Sequence, residues 1–245
     1  MQILSIAIQK GGCGKTTTAA ALANAAAFRG KKVLAIDADP QGQLSFTLAA
    51  DTRKAGSYEL LQGAPAGRLV QRIRPGLDVI PASWNLSTIT SGKGSARRLQ
   101  KALEPLKGEY DLIIIDTPPT AGELQYNALQ GATGLIIPVT ANIYDLQGLY
   151  QIADTAQRIQ KTNKALSFTG IIITQFDGRS GLARQMQETI IQKAAGMGIP
   201  YLGTVRAGVA IREAAALQES IFEYAPRSKP AADYMAIYEK IMKGE

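Results

Sequence analysis

The sequence predicts an α/β fold: a mostly parallel, twisted sheet with helices on both faces, in one domain over residues 1–245. Three observations carry this. Short apolar runs alternate with helical patterns along the chain. The run Leu112-Ile113-Ile114-Ile115 is apolar at every position, as a parallel strand buried on both faces must be. No interdomain linker, internal repeat or low-complexity segment interrupts the alternation.

Taken in order, residues 3–9 read as the first strand. A helix over 16–29 follows and closes at Gly30, a residue suited to the left-handed turn after a helix. Val33-Leu34-Ala35-Ile36 carries a second strand over 32–38, and residues 77–81 a third. The run before Asp116 is the fourth, and 134–139 and 168–174 are two more. Residues 201–205 are the last. Leu146, Leu149, Ala153 and Ala156 recur at helical spacing in a helix over 145–161. Further helices are expected over 182–195 and 231–242. Residues 88–95, with Ser91-Gly92-Lys93-Gly94-Ser95, read as a surface loop.

Composition excludes several chemistries. The chain has no histidine, which removes Ser-His-Asp triads, Cys-His dyads and His-liganded metals. Cys13 is the single cysteine, so neither an internal disulfide nor a cysteine-built zinc or iron–sulfur site fits within one chain. No apolar run is long enough to span a bilayer, and Met1-Gln2-Ile3-Leu4 lacks the basic flank of a signal peptide. A cytoplasmic protein is expected. The net charge of +7 permits a polyanionic partner. Residues 51–110 hold ten Lys/Arg against five Asp/Glu, whereas 201–245 are balanced at six each. Any basic surface must therefore be assembled by folding.

The strongest motif is Lys10-Gly11-Gly12-Cys13-Gly14-Lys15-Thr16-Thr17, which follows a strand and opens a helix. That is the context of a P-loop. Glycines let backbone N–H groups approach phosphates, and the helix N-terminus adds partial positive charge. Lys15 is expected to reach the β- and γ-phosphates of ATP, and the Thr16 hydroxyl to ligate Mg²⁺. Two acidic loops accompany it. Asp37-Ala38-Asp39-Pro40-Gln41-Gly42 ends the second strand, and Asp116-Thr117-Pro118-Pro119 the fourth. Both are expected beside the P-loop if their strands flank the first. Each aspartate taken alone is also an ordinary turn or cap residue. Phosphoryl transfer needs a metal, a positioned water and charge neutralisation rather than a covalent nucleophile.

The loop departs from ordinary spacing: Gln9 stands where a glycine is expected, and Lys10 follows. In this the sequence resembles the deviant Walker A ATPases of the ParA/MinD family, and within it the ParA/Soj partition ATPases. The resemblance extends over nearly the whole chain. It includes Asn142-Ile143-Tyr144-Asp145-Leu146-Gln147-Gly148-Leu149, then Phe176-Asp177-Gly178-Arg179-Ser180, then the segment from Ile211-Arg212-Glu213-Ala214 to Tyr224-Ala225-Pro226-Arg227-Ser228-Lys229. It implies a P-loop fold and Mg-dependent hydrolysis of ATP. Catalytic roles fall to Lys10, Lys15 and Asp39, and the nucleotide is held by Lys10, Gly11, Gly12, Cys13, Gly14, Lys15, Thr16 and Thr17. Lys10 would cross to the nucleotide of a second subunit. Asp39 would orient the attacking water. Thr16, Asp37 and Asp116 would serve the metal.

The resemblance further implies an ATP-bound sandwich dimer, non-specific DNA as a nucleoid partner, and a ParB-like protein that stimulates hydrolysis. It directs DNA contacts to Arg206, Arg212, Arg227, Lys229, Lys240 and Lys243, and the charge distribution adds Arg97, Arg98 and Lys101. Two departures stand out. Arg206-Ala207-Gly208-Val209-Ala210 replaces a segment that many members write Pro-Arg-Asn-Val-Arg. The long form's N-terminal helix-turn-helix domain is not expected here. The alternative is a MinD-like positioning ATPase on membranes, which ends in a basic amphipathic helix. Tyr234, Ile237, Tyr238 and Ile241 form a stripe near the C-terminus, but Asp233, Glu239, Lys240 and Lys243 mix their charges. Core packing is the better account of it, and no stable membrane association is expected.

Overall fold

The computed structural model describes residues 1–90 and 95–244. Its strands are β1 (Gln2–Ile6), β2 (Val33–Asp37), β3 (Gln71–Arg74), β4 (Leu77–Ile80), β5 (Leu112–Asp116), β6 (Gly134–Thr140), β7 (Ser167–Phe176) and β8 (Tyr201–Arg206). They form one sheet in the order β3-β4-β2-β5-β1-β6-β7-β8. The helices are α1 (Lys15–Phe28), α2 (Gln43–Thr47), α3 (Ser57–Leu61), α4 (Arg98–Leu103), α5 (Glu123–Gly131), α6 (Ile143–Gln160), α7 (Gly181–Gly196), α8 (Ala210–Ala216), α9 (Ile221–Tyr224) and α10 (Lys229–Lys243).

The expected mostly parallel sheet is present, with one addition. β3 pairs antiparallel to β4 at the edge of the sheet. Its sequence, Gln-Arg-Ile-Arg, is polar at three of four positions, so it lacks the apolar run that marks a strand from sequence. Of the loop expected at 88–95, residues 91–94 lie outside the described residues. The described parts border short 3₁₀ turns, Trp84–Thr88 and Ser95–Arg97.

Strand alternation sends successive residues to opposite faces. Ile113, Ile115, Ile171 and Ile173 pack under α4, α5, α6 and α7. Leu112, Ile114, Ile136 and Ile172 pack under α1, α9 and α10. Each fully buried isoleucine contributes about 1.5–3 kcal/mol from leaving water. Helix α1 is unusual in being half alanine and buried over most of its length. It packs against both the sheet and α10, which itself rests on β8, and alanine side chains allow that double contact at close range. At the base of β6, Gly134 is required by sterics: a Cβ there would sit 2.3 Å from Thr169 Oγ1 and 2.8 Å from Leu4 Cδ2.

The sheet order corrects one expectation. β1 is flanked by β5 and β6, and β2 lies one strand further out, beyond β5. The chain leaves β1 for β2 on one side and leaves β5 for β6 on the other. A crevice therefore opens at the carboxyl end of β1, where such a reversal places ligand sites in open α/β sheets.

Candidate functional site

The segment between β1 and α1 is a loop whose shape depends on glycine. Gly12 and Gly14 adopt φ of 75° and 78°, a left-handed conformation that side chains disfavour. Gly14 precedes α1 without a side-chain cap, so the first N–H groups of that helix are left for another acceptor. The end of β7 fixes the loop from behind. Thr174 Oγ1 donates to the Cys13 carbonyl at 2.9 Å, and Gln175 Nε2 donates to the Gly12 carbonyl at 2.7 Å. Gln9, which replaces the usual glycine, uses its side chain. Its Nε2 donates to Gln125 Oε1 on α5 and Thr155 Oγ1 on α6. Cys13 is buried, and burial pushes its thiol above the ordinary range. Its side chain packs inside the loop, so any contact it makes with a ligand is through the backbone.

The two lysines are held differently. Lys15, at the start of α1, is only 7% exposed, and its Nζ donates to the Lys10 carbonyl at 2.8 Å. Burial lowers its pKa, opposed by Asp116, Cys13 and Asp39. Lys10 is ion-paired with Asp145 in the first turn of α6. Asp145 is completely buried and also accepts from Thr140 Oγ1 at 2.7 Å and from the Thr140 N–H. As described, Lys10 therefore faces a carboxylate of its own chain.

The acidic loops converge although β2 does not touch β1. Asp37 and Asp116 are register partners across β2 and β5, and both are completely buried. Asp116 Oδ2 accepts from Thr16 Oγ1 at 2.7 Å. Asp37 Oδ2 accepts from Ser45 N and Ser45 Oγ, both at 2.7 Å, and Asp37 Oδ1 from the Asp39 N–H. Burial pushes the Asp37 carboxyl up to about 6, with the Ser45 hydrogen bonds opposing. Burial, and then the neighbouring Asp37, hold Asp116 well above the usual carboxylate range. Two adjacent buried carboxyls beside a threonine hydroxyl are a donor set short of positive charge, which a divalent cation suits. Asp39 Oδ1 accepts from the Gln41 N–H at 2.9 Å, so this aspartate does make the turn contact that its residue type favours.

P-loop, first acidic loop and Pro119 line one side of a cavity of about 730 Å³. Thr174, Gln175, Arg206, Arg212 and Tyr234 line the other. Sequence reasoning missed the anchoring roles of Thr174, Gln175 and Ser45. Their only sequence signal is position, at a strand end or just past an acidic loop. Asp145 was visible only as part of a segment.

The six residues expected to contact DNA do not share one environment. Arg206 makes a paired contact with Asp233, its Nε 2.9 Å from Oδ2. Lys240 Nζ donates to the Tyr201 carbonyl at 2.9 Å. Arg212 lines the cavity. Arg227, Lys229 and Lys243 are exposed. Arg97, Arg98 and Lys101 lie on or beside α4, across the sheet from α10, so folding does not merge them with the C-terminal group. The stripe of Tyr234, Ile237, Tyr238 and Ile241 is buried on α10, as core packing requires. No helix among the described residues is long and apolar enough to cross a membrane.

A family model described as an AAA domain matches residues 1–168. The chromosome-partitioning ATPase Soj of Thermus thermophilus is 37% identical over 245 residues, covering 98% of this chain and 94% of that protein. Two solved structures match with TM-scores of 0.80 and 0.81. One is a cobyrinic acid a,c-diamide synthase of Mycobacterium smegmatis with bound ADP and magnesium, 28% identical, covering 99% of this chain and 94% of that one. The other is the septum site-determining protein MinD of Pyrococcus horikoshii complexed with Mg-ADP, 26% identical, covering 99% of this chain and 96% of that one.

Proposed function

The chain belongs to the ParA/Soj family of partition ATPases, and from that premise we propose that it hydrolyses ATP with Mg²⁺ to switch a DNA-bound dimer. The observation that carries the reading is that Lys15, Thr16 and Asp39 line one cavity at the end of β1, while Thr16 donates to the buried Asp116, whose register partner is Asp37. ATP occupies that cavity with its phosphates on the glycine loop and the N-terminus of α1. Lys15 Nζ leaves the Lys10 carbonyl for the β- and γ-phosphates. Thr16 and Asp116 would hold Mg²⁺, with Asp37 in support, and the ion would supply neutralisation of phosphate charge. Asp39 positions the attacking water for in-line displacement. Arg206 and Arg212 border the far end of the cavity, where the base of the nucleotide would lie.

Dimer formation has support at the carboxyl-end rim of the sheet, where this cavity opens. Trp84, Ile143, Tyr144, Leu182 and Val209 are exposed large apolar residues, and each lies just past the carboxyl end of a strand. A second copy facing this rim would cover them and bring its own Lys10 to the nucleotide. DNA binding rests on Arg227, Lys229 and Lys243, exposed near the C-terminus, with a dimer doubling the surface. A ParB-like partner would raise turnover. The MinD-like reading loses its sequence feature, because the apolar stripe of α10 faces the core. The test is ATP turnover by the full chain with and without Mg²⁺, together with a gel shift on random duplex DNA with and without ATP. Turnover without ATP-dependent DNA binding would leave an ATPase with a different partner.

A further inference from the structure

A second cavity, of about 210 Å³, shares a wall with the first. Asp39 and Pro119 line the nucleotide cavity, while their chain neighbours Pro40 and Pro118 line this one. Its remaining surface is chemically divided. Leu86 and Ile89 continue the apolar side. The first turn of α5 supplies the polar side, and Gly122 before it offers no side-chain cap, so the leading N–H groups of this nine-residue helix lack one.

A second, independent feature points the same way. Gln125 lines the cavity, is completely buried, and has an Nε2 with no hydrogen-bond partner. Its Oε1 is already used by Gln9. An unpaired buried donor is costly, and an acceptor in the cavity removes that cost. Among the described residues, Glu123 is the one charged side chain lining the cavity. It accepts from Asn127 Nδ2 at 2.9 Å and makes no ion pair among the described residues. A simple anion would be repelled by Glu123. A simple cation would leave Gln125 and the helix N-terminus unmet. A carbonyl or carboxylate with an ammonium beside it, on a small apolar body, meets all three groups.

We propose that this cavity binds an α-amino-acid moiety. Its carboxyl or carbonyl oxygen accepts from Gln125 Nε2 and the first-turn N–H groups of α5, its ammonium meets Glu123, and its side chain lies against Leu86 and Ile89. A free amino acid and the N-terminal residue of a polypeptide share this chemistry. The inference goes beyond the nucleotide reading and uses a different cavity.

The test follows the Gln125 side-chain amide and the backbone amides of residues 122–125 by NMR in the full chain, without nucleotide. The probes are L-leucine, L-leucinamide, isocaproate and isoamylamine. Saturable shifts are expected with leucine, leucinamide or both, and affinities at least about tenfold weaker for isocaproate and isoamylamine, which each lack one partner. Leucinamide binding without leucine identifies a polypeptide N-terminus as the source, and leucine binding a free amino acid. Because Gln125→Leu also disturbs Gln9, Glu123→Gln is the companion variant, and it should erase the preference for leucine over isocaproate. Absence of saturable shifts with both leucine and leucinamide overturns the proposal, as does isocaproate binding as tightly as the tighter of those two. So does a preference unchanged in Glu123→Gln. Since no nucleotide is present, failure here leaves the ATPase reading untouched, and failure of ATP turnover leaves this result untouched.

Discussion

Lys10 and Asp145 form an ion pair between the entrance of the glycine loop and the first turn of α6. Asp145 has no exposed surface, and Thr140 supplies two further hydrogen bonds to it. The lysine expected to act across a dimer is thus held by its own chain. Reaching a partner's nucleotide requires this pair to break, and the gain in phosphate contacts must exceed its loss.

Lys10→Ala should bind ATP as a monomer and fail to dimerise, as read by light scattering with ATP. Asp145→Asn keeps an acceptor for Thr140 but removes the charge that holds Lys10. It should strengthen ATP-dependent association, by about fivefold for each kcal/mol of the pair that no longer has to be broken. A normal dimer from Lys10→Ala would end the in-trans role.

Lys15→Ala should abolish measurable ATP binding by calorimetry, because a buried lysine at the head of α1 is the main phosphate charge in the cavity. Unchanged nucleotide affinity would defeat the assignment of the loop.

Asp39→Ala should bind ATP and dimerise without hydrolysing it, since a group that positions water contributes to the transition state rather than to ground-state binding. The turn contact to Gln41 complicates this substitution. Asp39→Asn keeps an acceptor for that N–H and should be equally inactive. Native turnover in the asparagine variant would reduce Asp39 to a turn residue.

DNA affinity should require ATP, ignore sequence and fall steeply with salt. Replacing Arg227, Lys229 or Lys243 by glutamine should flatten the salt slope by roughly one unit each. Arg206→Gln should act differently, because its guanidinium is already committed to Asp233 and borders the cavity. Its expected effect is on nucleotide affinity. No affinity for duplex DNA at low salt, with the Asp39→Ala dimer and ATP, would refute the partition reading.

Tyr234 gives a stability prediction. It is buried, its hydroxyl lies 3.1 Å from Thr18 Oγ1, and burial pushes its pKa up to about 12. A raised pKa means that the folded chain favours the neutral phenol. Its contribution is therefore complete below the unfolded value of about 10 and is lost as pH rises towards about 12. Denaturant unfolding across this window should show a decline that is smaller in Tyr234→Phe. At neutral pH the same variant should cost about 1 kcal/mol, for the lost hydrogen bond. Identical pH profiles for the two proteins would remove Tyr234 as the source.

Much of the fold was legible because burial on both faces leaves an uninterrupted apolar run, as in Leu112 to Ile115. β3 was not, since an edge strand with Arg72 and Arg74 exposes too much surface to need one. The order of the strands was hidden for another reason. The sequence places Asp37 and Asp116 at strand ends, but sequence separation does not say that β5 inserts between β1 and β2 and makes them neighbours.

The sequence alone determined the parts whose chemistry is local: the glycine loop, the lysine and threonine at the head of α1, and the aspartates that end two strands. A loop that must turn through positive φ and open a helix writes those demands into consecutive residues. Tertiary structure decided which charges remain available. Asp145 holds Lys10 from 135 positions away, Asp233 holds Arg206, the Tyr201 carbonyl takes Lys240, and Gln9 reaches two helices. A charged or polar side chain meets its partners through packing of distant segments, and no local pattern records which of them will be spent inside the fold.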